Sequence, residues 1–149
     1  MATTLALVDF TENFAKITYV GNTRVYAMVN GKYLKQLTRD DTTLEYLLAT
    51  GQMDASTAES FDRKNEITAC FGAGSPALLK LKQIDISGQD TLILTSDGIH
   101  DYVSLDEMED IYCATDDKME FCKKLIEQAV ENGSMDDMSV IVCCHVNLK

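Results

Sequence analysis

Residues 91–101 read Thr-Leu-Ile-Leu-Thr-Ser-Asp-Gly-Ile-His-Asp, an apolar strand that runs into a turn and presents two carboxylates, Asp97 and Asp101. The two acids are four residues apart, so one helical turn sets them on a common face. Carboxylates stationed just past a buried strand suit a hard divalent cation held near a phosphate. A second acid belongs with them. Residues 133–142, Gly-Ser-Met-Asp-Asp-Met-Ser-Val-Ile-Val, place Asp136 just before the last strand, read as Met138 to Val146. If the strands of Asp97 and Asp136 are antiparallel neighbours, both acids reach the same edge of one sheet. Taken singly, Ser-Asp-Gly is ordinary turn chemistry, with Asp at the turn and Gly free to take positive φ.

Working outward, the first third reads as antiparallel β. Leu5 to Phe10, Ala15 to Val20, Arg24 to Val29 and Lys32 to Leu37 are short apolar or β-branched runs. Thr-Glu-Asn, Gly-Asn-Thr and Asn30-Gly31 separate them as turns, which predicts a four-strand meander. The middle reads as helical. Thr42 and Glu45 form a capping-box pattern, with Gly51 at the C′ position, and Asp54 can cap a second short helix to about Ser60. Residues 67–74 and Pro76 connect to strands near Lys80 to Ile86 and Thr91 to Thr95. Ser104 with Glu107 predicts another capping box and a helix to about Tyr112. A longer helix follows, capped by Thr115 or Asp116, with Met119, Cys122, Leu125, Ile126, Ala129 and Val130 on its apolar face and Gly133 at its end. The last strand is apolar on both faces, which predicts a central strand covered on both sides. These elements make an α+β class, with antiparallel sheets flanked by helices, in a single domain spanning 1–149.

Composition narrows the partners. The chain carries 24 acids against 13 bases, a formal charge of −11. Such a chain repels nucleic acid and anionic lipid surfaces, and no face collects Lys or Arg. With 46% apolar residues it is composed like an ordinary globular protein, and its longest apolar runs fall far short of a membrane span. The start lacks a basic n-region and apolar core, so a cytoplasmic location is expected. Five cysteines without a C-x-x-C spacing are expected to be reduced and mostly buried, forming neither disulfides nor a zinc site.

The order of segments is more specific than any one of them. Val20-Gly-Asn-Thr-Arg, Gly31 to Thr42, Asn65-Glu-Ile-Thr-Ala-Cys-Phe-Gly, Leu92 to Asp101 and Gly133 to Val142 resemble, in the same order, motifs of the metal-dependent protein phosphatases of the type 2C family. The matching family patterns are V-G-D-S-R, L-T-x-D-H-S, R-N-x-I-T-R-x-L-G, L-x-S-D-G-L-x-D and G-S-x-D-N-M-T-V. The resemblance implies two packed antiparallel sheets with outer helices, forming an antiparallel β-sandwich. It also implies hydrolysis of phosphoserine or phosphothreonine in proteins, with Mn²⁺ or Mg²⁺ as cofactor and a phosphoprotein as substrate.

By that resemblance Asp97 and Asp136 are ligands of the catalytic metal pair, and Asp101 helps hold a weaker third metal. Asn22 stands where the family has a third-metal aspartate. Gly98 and Asp137 are further candidates, Asp137 replacing a usual Asn, and Asp41 replaces a usual His. Thr3-Thr4-Leu5 resembles a G-T-T strand that in the family follows the R-x-x-N-E-D and D-G-M-G-G segments. The chain is therefore expected to be the C-terminal part of the domain, with the N-terminal part of the fold missing and metal binding weak. It is also expected to expose a sheet face that favours self-association. A non-catalytic, phosphatase-like interaction module is the alternative.

Overall fold

The computed structural model describes residues 2–10, 14–58, 60–72, 79–85 and 89–144. Strands β1 (Leu5–Phe10), β2 (Phe14–Val20), β3 (Arg24–Val29) and β4 (Tyr33–Gln36) come first. Helices α1 (Thr43–Ala49) and α2 (Ala55–Ala58), then β5 (Lys80–Asp85) and β6 (Gln89–Thr95), follow. Helices α3 (Asp97–His100), α4 (Leu105–Cys113) and α5 (Lys118–Glu131) precede β7 (Val140–Cys144). Among the described residues no helix is long and apolar enough to cross a membrane. The loop around Pro76 lies outside the described residues.

The strands form two antiparallel sheets, β1-β2-β5 and β4-β3-β6-β7. The expected four-strand meander is therefore wrong between β2 and β3, which belong to different sheets. Residues 21–23 are a crossover, not a hairpin turn. Gly21 takes φ +95°, and a Cβ there would fall 2.4 Å from the Thr4 Cγ2. Its N–H donates to the Asp41 carboxylate at 3.0 Å. Contacts from residues distant in sequence hold this link, so the local turn pattern misleads.

Alternation along the strands builds two cores. Ala15, Ile17 and Tyr19 of β2 face Val25 and Ala27 of β3 and Leu92 and Leu94 of β6 across the sandwich. Tyr26, Met28 and Ile93 point the other way, onto Ile99, Met108, Phe121, Leu125 and Ala129 of the helices. Each such fully buried large side chain contributes about 1.5–3 kcal/mol. Helices thus cover the outer face of the four-stranded sheet. The outer face of the other sheet is bare among the described residues, with Leu5, Leu7 and Leu81 39%, 56% and 70% exposed.

Helix ends follow their caps, with adjustments. Ser104 and Glu107 make the full reciprocal capping box at α4. Thr42 accepts from the Glu45 N–H at α1, but the Glu45 carboxylate pairs with Arg39 and leaves the box half made. Asp117, and not Thr115 or Asp116, caps α5, its Oδ1 accepting from the N–H groups of Met119 and Glu120. The α5 face is accordingly Phe121, Leu125 and Ala129, while Met119 and Val130 are exposed. Phe121 sets that phase by packing edge-on against Tyr112, with ring centroids 5.4 Å apart.

Two further expectations fail, one at β7 and one for the cysteines. Strand β7 pairs with β6 and stands at the edge of its sheet among the described residues, not at the centre. The cysteines are all free, but none is fully buried: Cys113 and Cys144 are exposed and the other three are half-buried. Cys143 lies on the inner face of this edge strand, where cover is partial.

Candidate metal site at the β6 and β7 ends

β6 and β7 are antiparallel, with Thr95 opposite Val140. The chain leaves β6 at Ser96 and enters β7 beside it, so Asp97 and the 136–137 turn meet at one sheet edge. Ser96 locks the junction. Its N–H donates to the Ser139 carbonyl at 3.0 Å, and its Oγ donates to the Asp137 carbonyl at 3.2 Å. The Ser139 N–H in turn donates to that Oγ at 2.9 Å. Ser96 is the N-cap of α3 but makes no side-chain capping bond, because its hydroxyl is committed to the junction. Ser134 adds a tie, its buried Oγ donating to the Gly98 carbonyl at 2.8 Å.

Each predicted residue has a definite place. Asp97 opens α3, with its Oδ1 accepting from the Gly98 N–H at 3.0 Å and its Oδ2 from the Asn22 Nδ2 at 2.9 Å. Asn22 is buried at 6% exposure. Asp101 is the C-cap of α3 and its Oδ2 accepts from the Asn65 Nδ2 at 2.7 Å. It keeps an exposed rim, yet partial desolvation raises its carboxyl above the ordinary value; Arg24 partly offsets this and Asp97 adds to it. Asp136 is exposed, with its Oδ1 accepting from the Asp137 N–H at 2.8 Å. Gly98 is buried against Asp137.

The structure brings Asp97, Gly98, Asp101 and Asn22 together on one side and sets the 136–137 turn against Gly98. Among the described residues, no group of three or more His, Cys, Asp or Glu is arranged to hold a metal ion. Oxygen donors of this kind suit Mg²⁺ or Mn²⁺. The carboxylate of Asp97 is meanwhile satisfied by an amide.

Beside Asp101 and Asn22 opens a polar cleft of about 230 Å³, lined by Asn22, Arg24, Asp40, Asn65, His100 and Asp101, among others. Arg24 forks onto Asp40, with Nε to Oδ1 at 3.1 Å and Nη2 to Oδ2 at 2.7 Å. His100 is buried, its Nδ1 2.8 Å from the Thr95 hydroxyl. Its Nε2 is the one fully buried side-chain N or O without a partner among the described residues. Burial pushes this imidazole down to about 3, with Arg24 adding to the effect. Three positioning residues, Asn65, Ser96 and Ser134, lie within the sequence motifs without marking themselves as such. Their hydroxyls and amide carry no signature of their own, and only the folded junction shows what they hold.

The chain is similar to known proteins over most of its length. Residues 71–138 match the family model described as protein phosphatase 2C. The protein phosphatase PhpP of Streptococcus pneumoniae serotype 2 is 28% identical over 140 residues, which are 94% of this chain and 56% of that protein. Serine/threonine phosphatase Stp1 from Staphylococcus aureus superposes with a TM-score of 0.89 at 27% identity, over 98% of this chain and 57% of that one. The catalytic domain of the serine/threonine phosphatase PstP in complex with two manganese ions superposes with a TM-score of 0.78 at 26% identity, over 95% of this chain and 58% of that one. The chain thus spans a little over half the length of these relatives, and it is similar to the bacterial type 2C protein phosphatases over the C-terminal part of their domain.

Proposed function

We propose that this chain supplies one wall of a two-metal protein phosphatase site that hydrolyses phosphoserine or phosphothreonine. The observation that carries this reading is the arrival of Asp97 and the Asp136 turn at the same end of the neighbouring strands β6 and β7. Asp97 and Asp136 would hold the Mn²⁺ or Mg²⁺ pair and Asp101 a weaker third ion, with Asn22, Gly98 and Asp137 shaping the site. Bound ions of this kind supply an activated water and offset charge on phosphoryl oxygens. The chain's own residues fix where the carboxylates stand: Ser96 and Ser134 hold the two turns together, and Asn22 and Asn65 orient Asp97 and Asp101.

With two core carboxylates, residues 1–149 act as a single but incomplete domain that binds metal weakly and turns over little by itself. Calorimetry with Mn²⁺ tests this directly. Weak binding that Asp97→Ala abolishes is expected, together with negligible hydrolysis of a phosphothreonine peptide. Equal Mn²⁺ affinity in the wild type and Asp97→Ala would remove the reading.

One observation favours a non-catalytic interaction module. The Asn22 amide already occupies Asp97 Oδ2, which stabilises the site without an ion. Phosphopeptide binding without hydrolysis, unchanged by chelation, would favour that second reading.

A further inference from the structure

We propose that Cys122 of α5 and Cys144 of β7 form a thiol pair, which a low-molecular-weight disulfide oxidises to a covalent bond between the two elements. The inference is independent of the phosphatase reading, because neither a metal nor turnover enters it.

Both cysteines lie on the helix-covered face of the four-stranded sheet. Side chains alternate along β7, and Val140 and Val142 pack against the core that Phe121 and Leu125 of α5 help to build. Cys144 falls on that same face by alternation. Cys143 is on the other face, against the core between the two sheets. Cys122 packs against the helix-side core, as Val140 and Val142 do.

The two cysteines also stand at the same height along the sheet. Just past α5, Ser134 donates its N–H to the Ala129 carbonyl and its Oγ to the Gly98 carbonyl. Ser139, just before β7, donates its N–H to the Ser96 Oγ. The end of α5 and the start of β7 therefore share the Asp97 end of the sheet. From Asn132 back to Cys122 the helix spans about 15 Å. From Ser139 on to Cys144 the strand spans about 17 Å. The lengths match, and a chain of contacts joins the far ends. Cys144 is opposite Thr91 in the β6–β7 register, and the Thr91 hydroxyl is 2.8 Å from that of Tyr112. The Tyr112 ring packs on Phe121, the residue before Cys122.

The two thiols are unequal, as stepwise exchange requires. Cys144 is exposed and Cys122 is half-buried. Burial raises the Cys122 thiol above its ordinary value, and the charge of Cys144 adds to the rise. Cys144 accordingly meets the oxidant first. Its thiolate attacks one sulfur of the small disulfide, breaks that S–S bond and releases one thiolate. The Cys122 thiolate then attacks the Cys144 sulfur of the mixed disulfide and expels the second. The two protons lost by the cysteines pass to the two released thiolates. The protein pair gives up two electrons, and the small disulfide takes them. The new bond closes residues 122–144 into a loop that carries Asp136.

The test is incubation of the dilute 149-residue chain with oxidised glutathione, followed by trypsin digestion without reductant and mass spectrometry. Cleavage after Lys118, Lys123 and Lys124 puts Cys122 in peptide 119–123, and Cys143 and Cys144 in peptide 125–149. The two peptides should be found linked, and dithiothreitol should release them. The link should persist in Cys143→Ser and vanish in Cys122→Ser and in Cys144→Ser. Oxidation should raise Tm by about 8 °C in the wild type and in Cys143→Ser, as closure of such a loop implies, and leave Cys144→Ser unmoved. Cys144 is exposed, so its serine variant keeps the fold and carries the test even if Cys122→Ser does not fold. A chain that retains glutathione on Cys144 without the link would overturn the inference, because Cys122 would then be out of reach. A link that survives in Cys144→Ser, or one found only in a species of twice the mass, would overturn it as well.

Discussion

Gly98 and the Asp137 carbonyl are so close that a Cβ on residue 98 would lie 2.6 Å from that oxygen. This approach sets the Asp136–Asp137 turn against the start of α3. Gly98→Ala must push the turn away, since the obstacle is backbone, and overpacking of this kind costs about 1–3 kcal/mol. Urea unfolding should show that loss. Mn²⁺ affinity should fall with it, because Asp136 moves relative to Asp97. A variant with unchanged stability and unchanged Mn²⁺ binding would show that the contact does not position the acid.

Asn22→Asp tests what the amide does for Asp97. The substitution removes the 2.9 Å N–H···O bond and sets two carboxylates face to face. Without metal, one of them must take up a proton or repel the other. A loss of about 2 kcal/mol is expected, lowering Tm by roughly 5 °C. Added Mn²⁺ should recover the loss, because an ion that binds the folded state more tightly stabilises it more. Thermal melts with and without Mn²⁺ check both signs. A variant as stable as the parent without metal would refute the amide's role.

Local signals read well where local chemistry decides the outcome. Ser104 and Glu107 form the expected box because both partners lie within one turn. The meeting of Asp97 and Asp136 at one edge required β6 and β7 to be antiparallel neighbours, a condition that the sheet meets. Legibility fails where distant residues decide. Gly21 looks like a hairpin glycine, but its conformation answers to Thr4 and Asp41. Asn22 meets Asp97 across 75 positions, so its donor role is invisible in its own motif. β7 is apolar along its whole length, yet among the described residues it pairs only with β6, because strand pairing is decided by distant segments and not by a strand's own composition.

The face of β1, β2 and β5 that is bare among the described residues makes a prediction about association. Leu7 and Leu81 flank Thr18 on adjoining strands, and both are largely exposed. Apolar patches of this kind promote self-association. Sedimentation of the wild type should show concentration-dependent association that the Leu7→Lys, Leu81→Lys double variant reduces. A monomeric wild type at high concentration would rule this out.

His100 makes stability depend on pH. Its imidazole is held at about 3 in the fold by burial, against 6.5 when free. The folded state therefore resists a proton that the unfolded chain accepts below about 6.5. The contribution is complete above that value and is lost as pH falls toward 3. Between pH 7 and pH 5 this one group should cost about 2 kcal/mol, at 1.36 kcal/mol per unit. His100→Leu removes the group, so the wild-type-minus-variant difference in urea stability should shift by that amount between the two pH values. No shift would mean that His100 can charge inside the fold.

Arg24 and Asp40 form a largely desolvated pair at the rim of the cleft, with side chains 25% and 8% exposed. Asp40→Ala leaves a guanidinium without its bidentate acceptor, and breaking such a pair costs about 3–5 kcal/mol. Replacing both partners with apolar residues of similar volume removes the uncompensated charge as well as the attraction. Arg24→Met with Asp40→Leu should therefore be more stable than Asp40→Ala alone. Urea titrations of the single and double variants decide it. A double variant at least as unstable as the single would mean that the pair contributes net attraction and does not merely neutralise a buried charge. Because Arg24 begins β3 opposite Thr95, slower exchange of the β6 amides in the double variant than in Asp40→Ala should follow the same order.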